Sequence, residues 1–270
     1  MTVIANDPFH AFKEAQKAGW AHFAPLQAIT TQPAARLVKH AGIRAGDRVL
    51  DVACGTGVVA ITSARLGANV TALDLTPQLL DVARQNARTA GANVEWHEGD
   101  VEHLPFEDAR FSVVVSQFGH MFAPRPEAAI GEMLRVLTPG GTIAFSTWPP
   151  ELCVGRMFAL VGRYMPPPPP GVSPPPQWGD PAVVRDRLGS AVRDIVFARA
   201  TMQVPALSVA HLREMNERTA GPVLKLVESL SATDPSRLEE FRREYDAIIV
   251  QYFDDNIVRQ GYLMTRASRV

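Results

Sequence analysis

Length, composition and charge exclude several classes of protein. The chain has 270 residues, 46% hydrophobic and 20% charged, which is typical of one folded main domain with a smaller appended part. Lys and Arg number 27 against 28 Asp and Glu, so no global positive field favours a nucleic-acid partner. No apolar run approaches the roughly 18 residues needed to cross a bilayer, and the N-terminal residues lack a secretion signal. We expect a cytoplasmic protein without membrane insertion.

The first 47 residues precede the first predicted strand and carry large apolar side chains at helical spacing, among them Trp20 and Phe23. Pro25 and Pro33 are expected to break this helical pattern. We predict that residues 1–47 form an N-terminal helical cover.

Residues 48–150 alternate short β-rich runs with helix-patterned segments, as in a mostly parallel sheet covered on both faces. The predicted strands are Arg48–Ala53, Asn69–Asp74, Val94–Glu98, Phe111–Ser116 and Thr142–Thr147. The predicted helices are Val58–Leu66, Pro77–Ala90 and Pro126–Leu137.

Residues 151–270 contain a Pro-rich stretch at 166–176, which cannot form a regular helix and is interpreted as a surface loop. Before it, Met157, Phe158, Leu160 and Val161 are expected to form one apolar face of a helix that lines a pocket. Further predicted elements are the strands Asp194–Val204 and Asn256–Thr265 and the helices Ala206–Arg218, Pro222–Leu230 and Pro235–Phe253. The two late strands are expected to pair antiparallel at the sheet edge.

The two cysteines, Cys54 and Cys153, are too few for a disulfide framework and form no Cys/His cluster. Cys54 lies inside a glycine turn and is interpreted as a small residue tolerated there. The sequence therefore predicts no metal site.

A glycine-rich turn follows the first predicted strand. Its pattern, Gly55-x-Gly57-x-x-Ala60, fits the dinucleotide-binding fingerprint, in which backbone N–H groups at a helix start face an anionic group. Asp74, at the end of the next strand, would suit the ribose of a nicotinamide cofactor or of S-adenosylmethionine. The turn alone does not distinguish the two ligands.

Four ordered segments resemble the class I, Rossmann-like S-adenosylmethionine-dependent methyltransferases. Val-Leu-Asp-Val-Ala-Cys-Gly-Thr-Gly at 49–57 resembles motif I, Ala-Leu-Asp-Leu-Thr-Pro at 72–77 the ribose motif, and Glu-Gly-Asp-Val-Glu-His-Leu-Pro-Phe at 98–106 the adenine segment. Leu-Arg-Val-Leu-Thr-Pro-Gly-Gly-Thr at 134–142 matches the helix, turn and strand that follow the fourth strand. The resemblance is closest to small-molecule methyltransferases related to the C-methyltransferases of ubiquinone and menaquinone biosynthesis.

The resemblance implies a three-layer α/β fold. Its sheet would be mostly parallel and seven-stranded with an antiparallel last strand, covered by N-terminal helices and by a C-terminal helical cap inserted before that strand. It also implies S-adenosylmethionine as cofactor and S-adenosylhomocysteine as product. Asp51 would face the cationic amino-acid end, Asp74 the ribose hydroxyls and Asp100 the adenine amine. The full implied cofactor set is Asp51, Ala53, Gly55, Thr56, Gly57, Asp74, Leu75, Asp100, Val101, Ser116 and Gln117.

The implied reaction is methyl transfer by in-line displacement to an O, C, S or N nucleophile of a small molecule. His120, shortly after the fourth strand, is the candidate general base, with a helix-start role or a contact to the cofactor's methionine end as alternatives. The expected cover of the site is formed by Trp20, Phe23, Phe118 and Met121. The segment starting at Ser116 lacks the Asn-Pro-Pro signature of enzymes that methylate amino groups in nucleic acid or protein.

Two other functions remain open from sequence. A nicotinamide-dependent oxidoreductase is disfavoured by Asp51 and by the long segment before the first strand. A non-catalytic S-adenosylmethionine-binding protein would share the whole cofactor site. A homodimer is compatible with the sequence.

Overall fold

The computed structural model describes residues 7–270, so the expectation about a signal at the N-terminus falls partly on residues 1–6, outside the described residues. The strands are β1 (Arg48–Val52), β2 (Asn69–Asp74), β3 (Val94–Glu98), β4 (Phe111–Gln117), β5 (Leu137–Thr147), β6 (Val192–Pro205), β7 (Phe253–Asp254) and β8 (Ile257–Arg269). The α-helices are α1 (His10–Trp20), α2 (Gln27–Ala41), α3 (Val58–Arg65), α4 (Pro77–Ala90), α5 (Pro126–Arg135), α6 (Cys153–Tyr164), α7 (Pro181–Leu188), α8 (Val209–Thr219), α9 (Gly221–Thr233) and α10 (Pro235–Ile249). Short 3₁₀ helices lie at Ala24–Leu26, His120–Phe122, Pro175–Gly179, Gly189–Ala191 and Val250–Tyr252.

The strands form one sheet in the order β3-β2-β1-β4-β5-β8-β6, and the short β7 pairs with β8. Pairing is parallel from β3 to β5 and antiparallel where β8 joins β5 and β6. The predicted three-layer α/β class with a mostly parallel sheet is confirmed. The sheet has eight strands instead of seven because β7 adds a two-residue pairing. Between β1 and β4 the strand order reverses, and open parallel sheets form a ligand crevice at such a point.

Local sequence signals explain the central elements. In β1, Val49, Leu50 and Val52 are all buried, as expected of a parallel strand covered on both faces. The helix α4 begins at Pro77, whose missing N–H is not needed in the first turn. It ends at Ala90 and is followed by Gly91, which adopts a left-handed φ of 63°.

The helix α2 corrects one expectation, because it continues through Pro33. A proline inside a helix removes one backbone hydrogen bond. The cost is offset by burial, since Leu37 and Val38, together with Pro33 itself, pack into the core. Tertiary packing therefore outweighs the local breaker signal.

The C-terminal segment completes the central sheet. The helices α8, α9 and α10 lie in sequence between β6 and β8, so the cap is inserted before the last strand as expected. One hydrophobic cluster joins Leu50 of β1 to Phe241 and Tyr245 of α10 and Met264 of β8. Within residues 7–270, no helix is both long and apolar enough to cross a membrane.

Candidate functional site

The glycine loop, residues 54–57, joins β1 to α3 and requires glycine for two reasons. Gly55 and Gly57 have φ values of 55° and 82°, a region that side chains resist. A Cβ atom on Gly57 would also lie 2.7 Å from the Trp96 ring. The loop therefore packs tightly against β3 while it turns into the helix.

The backbone is also strained where β1 and β4 end. Ala53 and Phe118 adopt left-handed φ values of 52° and 60°, which are uncommon for residues with a side chain. A Cβ atom on Gly119 would come within 2.5 Å of the Cβ of Ala53. Such strain is often found at functional sites. It brings the two strand ends together and stacks the Phe118 ring on Trp148, with centroids 3.9 Å apart.

Asp51 is buried near the end of β1, with 1% of its surface exposed. Its Oδ2 accepts a hydrogen bond of 2.9 Å from the N–H of Ala60 in α3. Its Oδ1 finds no donor among residues 7–270. Burial, opposed by the hydrogen bond from Ala60 and assisted by the nearby Asp74, raises the pKa of Asp51 to about 8. A buried acceptor of this kind would be satisfied by a cationic donor.

Asp74 ends β2 and faces the glycine loop. Its Oδ2 accepts from the N–H of Gly55 at 2.7 Å and its Oδ1 from the N–H of Thr76 at 2.8 Å. Burial raises the pKa of this carboxyl group, and the two backbone bonds oppose that shift. Because each carboxylate oxygen has a second lone pair, Asp74 can still accept from two ligand hydroxyls.

Lys13 of α1 is a site residue that the sequence did not reveal. Its Nζ lies 2.6 Å from a carboxylate oxygen of each of Asp7, Asp100 and Glu102. Glu102 also accepts from Nε and Nη2 of Arg125, at 2.9 and 2.7 Å. We call these five residues the Lys13 cluster. It ties α1 to the predicted adenine segment.

A cavity opens beside the glycine loop and offers about 250 Å³ of space for solvent. It brings together twelve of the sequence-predicted residues: Trp20, Phe23, Asp51, Ala53, Gly55, Thr56, Asp74, Leu75, Asp100, Val101, Gln117 and Phe118. Trp20 and Phe23 pack edge to face at 5.8 Å, so the expected N-terminal cover contributes to this wall. Lys13 lines the same cavity.

Three other predicted residues lie outside the cavity wall. Gly57 packs against Trp96. The Ser116 hydroxyl donates to the carbonyl of Val52 at 2.9 Å and accepts from the N–H of His120 at 3.1 Å, so it holds the two strand ends together. Met121 is a core residue with 1% exposure. These three residues therefore pack near the cavity wall without lining it.

His120 does not lie where a general base would need to be. Its ring is fully buried between Phe145 and Trp178, with ring centroids 4.6 and 4.7 Å away. Both ring nitrogens lack a partner within the part of the chain that the structure describes. Burial, with a smaller contribution from Arg187, lowers its pKa to about 3. The 3₁₀ helix after β4 turns the ring into the core, which corrects the expected base role.

The cavity is also lined by thirteen residues that follow position 150, and we call ten of them the apolar compartment. Its members come from α6, β6, α8, α9, α10 and β8: Met157, Phe158, Val161, Met202, Val204, Leu212, Asn216, Val223, Tyr245 and Gln260. The expectation for α6 is confirmed for Met157, Phe158 and Val161, whereas Leu160 is buried behind them.

Comparison with known proteins agrees with this geometry. A family model described as a methyltransferase domain matches residues 49–141. An uncharacterised protein of Mycobacterium tuberculosis is 34% identical over 234 residues, 86% of this chain and 85% of that protein. A demethylmenaquinone methyltransferase of Deinococcus radiodurans is 34% identical over 54% of this chain and 57% of its own length.

A solved structure of a methyltransferase-like protein from Bacillus halodurans shows the same fold. It has a TM-score of 0.58 and 23% identity, and the match covers 87% of this chain and 97% of that one. The family match spans Asp51, Asp74 and Asp100, which all line the cavity. The chain therefore belongs to the class I S-adenosylmethionine-dependent methyltransferases and uses S-adenosylmethionine as its cofactor.

Proposed function

We propose that the protein methylates a small, largely apolar molecule bound in the apolar compartment. The observation that carries this proposal is the continuity of one cavity, which is lined both by the glycine loop and by the apolar compartment. Seven of the ten compartment residues are hydrophobic: Met157, Phe158, Val161, Met202, Val204, Leu212 and Val223. A relative named as a demethylmenaquinone methyltransferase supports an apolar acceptor.

The residues of the cofactor half would hold S-adenosylmethionine by complementary chemistry. The unpartnered Oδ1 of Asp51 suits the ammonium of the methionyl end, and Asp74 suits the ribose hydroxyls. Asp100 and Val101 would flank the adenine. When bound, the cofactor supplies an electrophilic methyl group on a sulfonium. Asp51, when ionised, would repel the pyrophosphate of a nicotinamide dinucleotide, so the same wall disfavours that cofactor.

The apolar compartment would act by positioning the acceptor and by excluding water. Well-oriented reacting groups can gain roughly 7–11 kcal/mol in effective molarity. Among the described residues, the apolar compartment contains no histidine, carboxylate or lysine. A cationic amine acceptor would find no counter-ion there. Oxygen, sulfur and activated carbon nucleophiles therefore fit better, and we propose no side-chain base.

Ligand-dependent thermal shifts test the cofactor half of this proposal. S-adenosylmethionine and S-adenosylhomocysteine should raise the melting temperature in a concentration-dependent way, and NAD should not, because only a ligand of the folded state stabilises it. Stabilisation by NAD alone would refute the proposed site.

Transfer from methyl-labelled S-adenosylmethionine to a panel of phenols, quinols, thiols and amines tests the acceptor. We expect labelled product from the apolar phenols, quinols or thiols. Labelling of the amines alone would contradict the proposed acceptor class. Cofactor binding without turnover on any member would favour a non-catalytic S-adenosylmethionine-binding protein.

A further inference from the structure

Two polar side chains face each other in the apolar compartment. Asn216 of α8 is 7% exposed and Tyr245 of α10 is fully buried, yet both line the cavity. The Nδ2 of Asn216 donates to the Tyr245 hydroxyl oxygen at 3.1 Å. Buried polar groups are normally satisfied, so a pair placed among Met, Leu and Val side chains calls for a reason.

The hydrogen bond between Asn216 and Tyr245 leaves some of their donors and acceptors without a partner. Within residues 7–270, the Tyr245 hydroxyl has no acceptor for its own proton, and the Oδ1 of Asn216 has no donor. If the amide is turned over, the hydroxyl donates and two amide N–H groups remain instead. Either orientation leaves at least one N–H or O–H donor and at least one oxygen lone pair without a partner at the cavity wall.

The pair is also electrically neutral. Burial raises the pKa of Tyr245, so the phenol keeps its proton at neutral pH. Two acidic side chains lie close enough to influence Tyr245, Glu217 and Asp246. Both are engaged elsewhere, Glu217 with Arg213 at 2.9 Å and Arg242 at 2.8 Å, and Asp246 with Arg213 at 2.9 Å. A neutral donor and acceptor in an apolar wall match a hydroxyl or carbonyl group and give no counter-charge to an ammonium or phosphate.

We propose that Asn216 and Tyr245 determine acceptor specificity by binding a hydroxyl or carbonyl oxygen on an otherwise apolar acceptor. The proposal rests on the function proposed above and names the substrate class of the same site: phenols, enols, quinols or related ketones. A site built to hydrogen-bond such an oxygen rejects the analogue that lacks it, because its own polar groups are then left unpaired.

Two probes of nearly equal shape, 2-naphthol and naphthalene, test this by calorimetry on the full chain saturated with S-adenosylhomocysteine. Water solvates the hydroxyl group of naphthol, so burial favours naphthol only if the protein supplies partners. We expect the wild type to bind 2-naphthol at least about 10-fold more tightly than naphthalene.

The variants Tyr245→Phe and Asn216→Ala should reduce that preference at least about threefold while S-adenosylhomocysteine binding stays within about twofold of wild type. Tyr164→Phe is the matched control, because its hydroxyl donates to Glu244 at 2.6 Å and Tyr164 is not one of the residues that line the cavity. That variant should keep the wild-type preference. If one of the two test variants does not fold, the other decides.

The outcomes separate this proposal from the proposed function. Failure of the wild type to bind S-adenosylhomocysteine would refute the cofactor site itself. Normal binding of S-adenosylhomocysteine with equal affinity for the two probes, or with neither bound, would overturn the specificity role alone. A preference that survives in both Tyr245→Phe and Asn216→Ala would overturn it as well.

Discussion

At the scale of single residues, the raised pKa of Asp51 predicts a pH-dependent cofactor affinity. Without ligand the carboxyl group titrates at about pH 8 because burial penalises its charge, so it is mostly protonated at pH 6. A cationic ammonium binds the ionised form. Affinity should therefore rise with pH through 6–8, by at most about tenfold per unit, and level off above about 8.

Calorimetric titration with S-adenosylhomocysteine from pH 6 to 8 measures this slope. Asp51→Asn is the matched variant, since its amide oxygen can still accept from Ala60 but carries no titrating proton. Both proteins meet the same ligand, so ionisation of the ligand cancels in the comparison. A variant that keeps the wild-type slope would show that Asp51 does not face the ammonium.

The buried ring of His120 predicts a structural role. Its contacts with Phe145 and Trp178 resemble those of a core aromatic residue, so His120→Ala should lower the free energy of unfolding by about 2–4 kcal/mol. His103→Ala, at an exposed position, should change it by less than about 0.5 kcal/mol. Urea denaturation measures both. Equal stability of the two variants would place His120 outside the core.

At the scale of elements, the Lys13 cluster predicts that the stability of α1 depends on one buried cation, Lys13. Lys13→Met would leave three carboxylates facing one another with Arg125 as the remaining cation. Removing one partner of a buried ion pair typically costs about 3–5 kcal/mol. We expect faster amide hydrogen exchange across α1 and weaker S-adenosylhomocysteine binding, because Lys13 and Trp20 line the cavity.

Lys17→Met is the control on the same helix. Its only ion pair among the described residues, with Glu98, is more exposed, and such pairs contribute about 0–1 kcal/mol. Exchange in α1 should stay near wild type in this variant. Similar protection losses in the two variants would mean that α1 is held by general packing and not by the Lys13 cluster.

The elements also show what the sequence could and could not predict. The strands β2 and β3 and the helix α4 have the predicted bounds. Their ends depend on local signals, namely the spacing of apolar residues, Pro77 at the start of α4 and Gly91 just after its end. The helix break predicted at Pro33 was wrong, because α2 is stabilised by burial against residues that are distant in sequence. The start of β5 at Leu137 was also missed, because the Pro-Gly-Gly segment within it is typical of a turn.

At the scale of the whole molecule, site residues could be predicted where they belong to one local motif, and could not be predicted where they come together from distant parts of the chain. Asp51, Asp74 and Asp100 could be predicted because each lies at or just after the end of a strand within a recognisable motif. Lys13 and Asp100 are 87 positions apart, and Asn216 lies on a helix that no motif marks. Their chemistry arises only when the chain folds, so residue type alone suggested ordinary surface or core positions.

Two hydrophobic clusters, each containing residues of the central sheet, predict that the chain unfolds as one unit. One cluster joins Leu37 of α2 to Val49 and Val115 of the sheet, and the other joins Leu50 to Tyr245. Tryptophans in several regions, Trp20, Trp96, Trp148 and Trp178, report on the fold by fluorescence. Their urea transition should coincide with that of far-UV circular dichroism.

S-adenosylhomocysteine at about 100 times its dissociation constant should stabilise the chain by about 2.7 kcal/mol, with the same shift in both signals. Equal shifts are expected because the cavity wall draws on α1, the glycine loop and α10 together, so a ligand that holds the cavity closed restrains all three. A fluorescence transition that precedes the loss of circular dichroism, or a ligand shift seen by one probe alone, would show that the cover unfolds independently of the sheet.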